Sequence, residues 1–501
     1  MTGGDHRLNR GVKLANIGII ANFVIGLASA IITGRLFGAE ELGRYALVSA
    51  PTILVIQFSS VSEQLGLIQE LTKHPKLSPE GTGVFRVVFK LSVLLTFVAS
   101  ALVLVISWFY FHSSPTRSDL FAPAALMVGA YIVIDNISWN FDSVLSAHRA
   151  FEVQFVARMT TTVSLLVLTP LFALIGRSVW EIAAASIAAN ALGLIVRVVK
   201  IPEYVGFRAG DADVAFGRSK LRGIVMFGLR AMPASVSLIV ASQSTVWILG
   251  VVASANALGA FSRAMNLAGR MNDVPFKVAG VYYPTQVRNA HNGDLDAMVR
   301  AMGDTLRMSF VPLMALAAAA AGASFGVLRV FGNDFAAADT ALVVLLLSAL
   351  VFFMDVIVGL TLTALGRPGV VSKGSVLGMT MTLALVWPLA DRYGATGAAA
   401  AIAVGQVASL LVKFVALLDR LEHHLVFRSV VRPGTSVLAA TLVAYTVAHV
   451  IDTQMASIIG TGIAGLSGIA AFFVVITLFG SPDVPLIRKV LERIRRQPVG
   501  V

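Results

Sequence analysis

The chain has 501 residues, 57% of them hydrophobic and only 13% charged, with a mean hydropathy of +0.82. These proportions exclude an ordinary soluble globular protein and mark an integral membrane protein. The formal net charge of +12 raises nucleic acid as a partner, which the placement of the basic residues decides below, and the absence of cysteine removes disulfide frameworks and thiolate metal sites.

Apolar runs long enough to span a bilayer lie near residues 14–34, 45–68, 88–111, 120–146, 153–175 and 179–199. A second set lies near 223–249, 256–284, 306–331, 338–365, 370–390 and 394–418, and a last pair near 434–451 and 455–479. The predicted fold is therefore all-α, with about 14 transmembrane helices. Pro51, Pro170, Pro233, Pro275 and Pro388 fall inside spans, which membrane helices tolerate when neighbouring groups satisfy the freed carbonyls. Ala28-Ser29-Ala30 mimics a signal cleavage site. Its apolar run, about twenty residues, is too long for a signal core and reads as a retained helix.

Sorting lysine and arginine by alternate connections puts 27 on one side and 6 on the other, with the remaining 6 of 39 inside spans. That bias predicts cytoplasmic N- and C-termini. It also accounts for the basic balance as topology, so no nucleic-acid partner is expected.

The sequence repeats. Gly34-Arg35-Leu36-Phe37-Gly38-Ala39-Glu40-Glu41-Leu42-Gly43-Arg44-Tyr45 lies over the segment from Gly250 to Phe261 at a shift of 216. Ala147-His148-Arg149 answers Leu365-Gly366-Arg367, and Leu174-Ile175-Gly176 answers Arg392-Tyr393-Gly394, at a shift of 218. The expected organisation is an N-lobe of six helices (1–200), a cytoplasmic linker (201–222), a C-lobe of six (223–418) and a cytoplasmic loop (419–433). Two appended helices (434–480) and a basic cytoplasmic tail (481–501) follow. Lobes with an even number of helices share orientation and are expected to enclose a cleft that rocks between two openings.

One polar stripe interrupts the eighth span: Arg263, Asn266, Arg270, Asp273 and Lys277, spaced three then four so that all share one helix face. Cations at those depths cost several kcal/mol unless they face water, a partner charge or a polar substrate. The candidate substrate-binding residues are Arg270, Arg263, Lys277, Asn266 and, on the seventh span, Arg230. The counterpart in the second span is polar at Gln57, Ser59, Ser60, Ser62, Glu63 and Gln64. Asp135, Asp142, Asp355 and Asp273 are either sites for a coupling ion, H+ or Na+, or static partners of these arginines. Lys277 could also snorkel to one surface, and Pro275 could kink the stripe out of line. The hydroxyls of Thr160 to Thr162 are expected to bond to their own helix.

The run from Gly34 to Gly38, followed by Leu42-Gly43-Arg44-Tyr45, resembles the first-loop signature of polysaccharide exporters and lipid-linked oligosaccharide flippases of the MATE-like (MOP) superfamily. So do Phe331-Gly332-Asn333-Asp334-Phe335, Ala364-Leu365-Gly366-Arg367-Pro368 and Tyr393-Gly394-Ala395-Thr396-Gly397, in order along the chain. The resemblance implies a flippase for a polyprenyl-diphosphate-linked glycan, driven by an ion gradient or the membrane potential without a bound cofactor. Membrane lipids, a polysaccharide polymerase and glycosyltransferases are the implied partners. Arginine suits a diphosphate, because its planar fork binds two oxygens and stays charged when desolvated. Two alternatives are a multidrug antiporter of the same superfamily, whose cationic substrates disfavour a basic chamber, and a membrane transferase of the polyprenyl-sugar pathway. Phosphate-loop, HExxH and paired-cysteine motifs are absent, and His423 and His424 fall in a loop, so no enzyme is expected.

Overall fold

The computed structural model describes residues 3–59, 63–206, 210–419, 434–455 and 457–478. They are helical throughout, with no strand among them. The first unit contains α1 (Gly3–Ser59), α2 (Glu63–Leu71), α3 (Pro79–His112), α4 (Phe121–Val133), α5 (Asp135–Ala147), α6 (Phe151–Ala173), α7 (Val179–Lys200) and α8 (Asp211–Val252). The second contains α9 (Ala255–His291), α10 (Leu295–Thr305), α11 (Val311–Gly322), α12 (Ser324–Arg329), α13 (Asp339–Ala364), α14 (Pro368–Leu418), α15 (Gly434–Met455) and α16 (Ile458–Leu478). The described residues of the fourteen expected spans fall on helix apart from short breaks, and eight described stretches are by themselves long and apolar enough to cross a membrane.

Two spans are joined into one helical element at each of two glycines. Gly38 (φ 76°, ψ 175°) turns the chain inside α1 and Gly394 (φ 56°, ψ −133°) inside α14, both in conformations that a Cβ disfavours. Elsewhere spans are broken: α4 and α5 meet at Ile134, so the expected fourth span is two helices. Several helices also outrun their spans. The expected linker is largely the first turns of α8, which begins at Asp211, and the ninth span begins at Leu295 rather than 306. Charged residues such as Asp296, Arg300 and Asp304 sit on that extension, where helix continues without an apolar run, and Arg307 just beyond it lies 3.5 Å from Asp304.

The backbone strengthens the internal repeat. Leu77 and Gly293, 216 apart, both have positive φ, and each is followed by a helix N-cap, Ser78 accepting from Gly81 N and Asp294 from Ala297 N. Arg149 and Gly366 likewise have positive φ and close the same reverse turn. In these turns Ala150 N donates to Leu145 O (2.8 Å) and Arg367 N to Leu362 O (2.9 Å).

The chain separates into compact units 1–250 and 251–501, one helix later than the lobe boundary expected near 223. The reason is α8, which runs along α3. A Cβ on Gly217 would lie 2.5 Å from Gly83 O at one end, and at the other the Tyr110 hydroxyl donates to Trp247 O (2.8 Å) with the two rings stacked. In the second unit the appended pair α15 and α16 is built in. Gly322 of α11 meets the α15 backbone at Tyr445, and buried Asp452 accepts from Gly326 N and the Thr461 hydroxyl, both at 2.9 Å.

Candidate functional site

The helix α9 carries the polar stripe, and it runs unbroken from Ala255 to His291 through Pro275. Ser254 caps it by accepting from Ala257 N (3.2 Å). Phe261, Ala264, Ala268, Met271 and Pro275 are buried and share the face that packs on α13. Asn266, Arg270, Asp273 and Lys277 are exposed, roughly opposite that face at 100° per residue. The helix is thus amphipathic with its charged side turned outward from its own unit.

Among the described residues, Arg270, Asp273 and Lys277 make no ion pair or side-chain hydrogen bond. The idea that buried acids neutralise the stripe is corrected by two of those acids. Asp142 receives a forked pair from Arg197, Nε to Oδ1 at 2.9 Å and Nη2 to Oδ2 at 3.0 Å. Asp355 receives Lys413 Nζ on Oδ2 (2.6 Å) and the Ser409 hydroxyl on Oδ1 (2.9 Å). Arg263 is half-buried, with its guanidinium 5.8 Å from the Phe331 ring centroid. Arg230 lies on α8 with its side chain outside the described residues, as do those of Gln57, Ser59, Ser60, Ser62, Glu63 and Gln64. The loop holding His423 and His424 is outside them entirely.

Both engaged pairs were invisible to spacing. Lys413, only 2% exposed, was one of the basic residues inside spans, and Arg197, expected at a membrane flank, is buried between α7 and α5. Gly374 leaves room for the Lys413 stem, which a Cβ there would approach within 3.1 Å. The Thr160, Thr161 and Thr162 hydroxyls bond to carbonyls one turn back, as expected.

A second polar feature lies in the first unit: a cavity of about 500 Å³ among α5, α6 and α7. Asp135, the Asp142–Arg197 pair, Arg158 and Asn190 line it. Beside it, buried Asn136 donates to Ser92 (3.1 Å) and Thr96 (2.6 Å) of α3, locking α5 in register.

A family model described as "Polysaccharide biosynthesis protein" matches residues 18–340, well over half of the chain. The chain belongs to this polysaccharide biosynthesis family. Its fold is that of the MOP superfamily. The lipid II flippase MurJ in an inward closed conformation superposes with a TM-score of 0.70 at 13% identity, covering 93% of this chain and 98% of that one. An inward-facing multidrug resistance MATE transporter gives 0.58 at 15% identity, over 82% and 98%. A MOP superfamily transporter from Pyrococcus furiosus, described as having a binding pocket of reversed polarity, gives 0.51 at 15%, over 82% and 92%. No curated protein matches in sequence. Membership confirms, for family and fold, the resemblance drawn from the Gly34–Tyr45 turn and the three later motifs.

Proposed function

We propose that this family member is a flippase that moves a polyprenyl-diphosphate-linked oligosaccharide across the cytoplasmic membrane by alternating access, for cell-surface polysaccharide synthesis. The observation that carries the reading is the exposed part of the α9 stripe, from Asn266 to Lys277. Two cations, Arg270 and Lys277, stand on the outward face of a continuous helix that we read as crossing the membrane, with no partner acid among the described residues. Lipid does not tolerate such a face, so it borders a water-filled path, and the ligand that suits it is anionic. Arg270 supplies the forked contact to phosphate oxygens, Lys277 and Arg263 flank it, and Asn266 meets sugar or water. Arg230 is a further candidate contact. A cationic drug would meet repulsion on the same wall, which disfavours the antiporter reading, and the solved proteins that share the fold are described as a flippase and transporters, which favours transport over a transferase.

The driving force follows from the charge of the cargo. Carrying two negative charges outward, down an inside-negative potential of 100 mV, releases about 5 kcal/mol. Asp142 and Asp355 already neutralise basic side chains. The membrane potential acting on a basic path therefore requires no dedicated ion carboxylate. Collapsing the potential with valinomycin and potassium is expected to stop flipping while a pH gradient alone does not sustain it.

The reading is tested by Arg270→Ala in cells that depend on the chain. Export should be lost and completed lipid-linked units should accumulate in the inner leaflet, with membrane insertion unchanged. Arg270→Lys should recover only part of the activity, because a point charge replaces a fork. Full export by Arg270→Ala at normal expression overturns the assignment.

A further inference from the structure

The cavity of the first unit is not used by the stripe of α9. Its wall groups balance in charge: Asp135 and Asp142 against Arg158 and Arg197. Arg197 is committed to Asp142, and it also donates from Nη1 to Gly193 O (3.0 Å), which fixes the guanidinium. Asp135, Arg158 and Asn190 have side chains with no hydrogen-bond partner among the described residues, and all three face the same space. Trp139 adds a half-exposed indole to the wall.

This combination discriminates between ligand classes. A metal cation entering the space meets the guanidinium of Arg158, and a diphosphate meets the carboxylate of Asp135. A neutral polyhydroxylated group fits both, since each hydroxyl donates to a carboxylate or amide oxygen and accepts from a guanidinium or amide N–H. The apolar C–H face of a pyranose ring also matches an indole whose edge stays wet. A volume of about 500 Å³ falls within the usual range of small-molecule pockets, roughly 300 to 1,000 Å³, and accommodates about two sugar rings.

We infer that the cavity among α5, α6 and α7 is a saccharide-binding site, holding one or two neutral sugar units of the lipid-linked glycan. The assignment rests on the flippase reading for its source of sugar, but it concerns residues in a different unit from the diphosphate stripe.

The test uses the full chain in lipid nanodiscs, titrated by calorimetry with neutral hexoses, N-acetylhexosamines and their disaccharides. Saturable binding of at least one of these is expected, with Asn190→Ala and Arg158→Gln each raising the apparent Kd about tenfold. Melting temperature in the absence of sugar should barely move in Asn190→Ala, because that side chain has no hydrogen-bond partner among the described residues. Trp139→Phe should keep most of the affinity, whereas Trp139→Ala should lose it. Farnesyl diphosphate, titrated separately, reports the stripe. Sugar binding without farnesyl diphosphate binding leaves the cavity assignment standing and removes the diphosphate reading. Absence of binding by every sugar overturns the inference, as does sugar binding that both cavity variants leave unchanged. A response to sodium or to acid alone that Asn190→Ala and Arg158→Gln abolish also overturns it, by making the cavity a cation site.

Discussion

Lys413 and Asp355 form the most deeply buried ion pair among the described residues, joined at 2.6 Å and supported by Ser409 and Ser375. Removing one member of such a pair strands a charge and costs about 3–5 kcal/mol, while an apolar replacement of both is often neutral. Lys413→Met is therefore expected to lower thermal stability in detergent sharply, and Asp355→Leu combined with Lys413→Met to restore most of it. A double variant no more stable than the single one would mean that the pair's hydrogen bonds outweigh its desolvation. This pair also shows where the sequence stops being informative. Spacing along one helix identified the stripe of α9, because a helix face is a one-dimensional pattern. The partners of Asp355 and Asp142 lie 58 and 55 residues away on other helices, and only tertiary packing selects them.

At the scale of elements, glycines do two separable jobs. Gly394 has open space where a Cβ would stand, so Gly394→Ala meets only backbone strain, of order 1–3 kcal/mol. Gly83 has normal helical geometry, but a Cβ there collides with the carbonyl of Asp213, and the same crossing is closed from the other side by Gly217. Gly83→Leu is expected to separate α3 from α8 and to lower the melting temperature well beyond Gly394→Ala; the opposite order would place the weak point at the bend. The bend glycines were readable as repeated turn motifs. The crossing was not, since neither Gly83 nor Gly217 belongs to a motif and their pairing depends on α8 lying along α3. The charged first turns of α8 and α10 escaped for a related reason: helix outside the bilayer carries no long apolar run.

For the whole molecule, hydropathy was enough to set the all-helical class and the placement of the spans, and the repeat offset recurs in the N-caps at Ser78 and Asp294. Orientation is open to direct measurement because the chain contains no cysteine. Thr116→Cys, after α3, should react with an impermeant maleimide in intact cells, and Lys76→Cys, before it, only after permeabilisation. The reversed pattern would invert the assigned topology. Family membership ties the chain to polysaccharide biosynthesis; under the proposed function the glycan is read by side chains that hydropathy cannot rank.

The Asp355–Lys413 pair has a consequence for how the protein is made. The carboxylate arrives with α13 and its partner lies 58 residues further along. At about 5–20 residues per second, synthesis leaves the acid without its ammonium for roughly 3 to 12 seconds. An aspartate at the centre of a bilayer helix costs about 2.5–3.5 kcal/mol on insertion scales, a penalty that the very apolar α13 absorbs until Lys413 docks. Helices α13 and α14 thus mature as one delivery, and a chain arrested in the turn at Gly366 would present the quality-control machinery with a lone acid in the membrane.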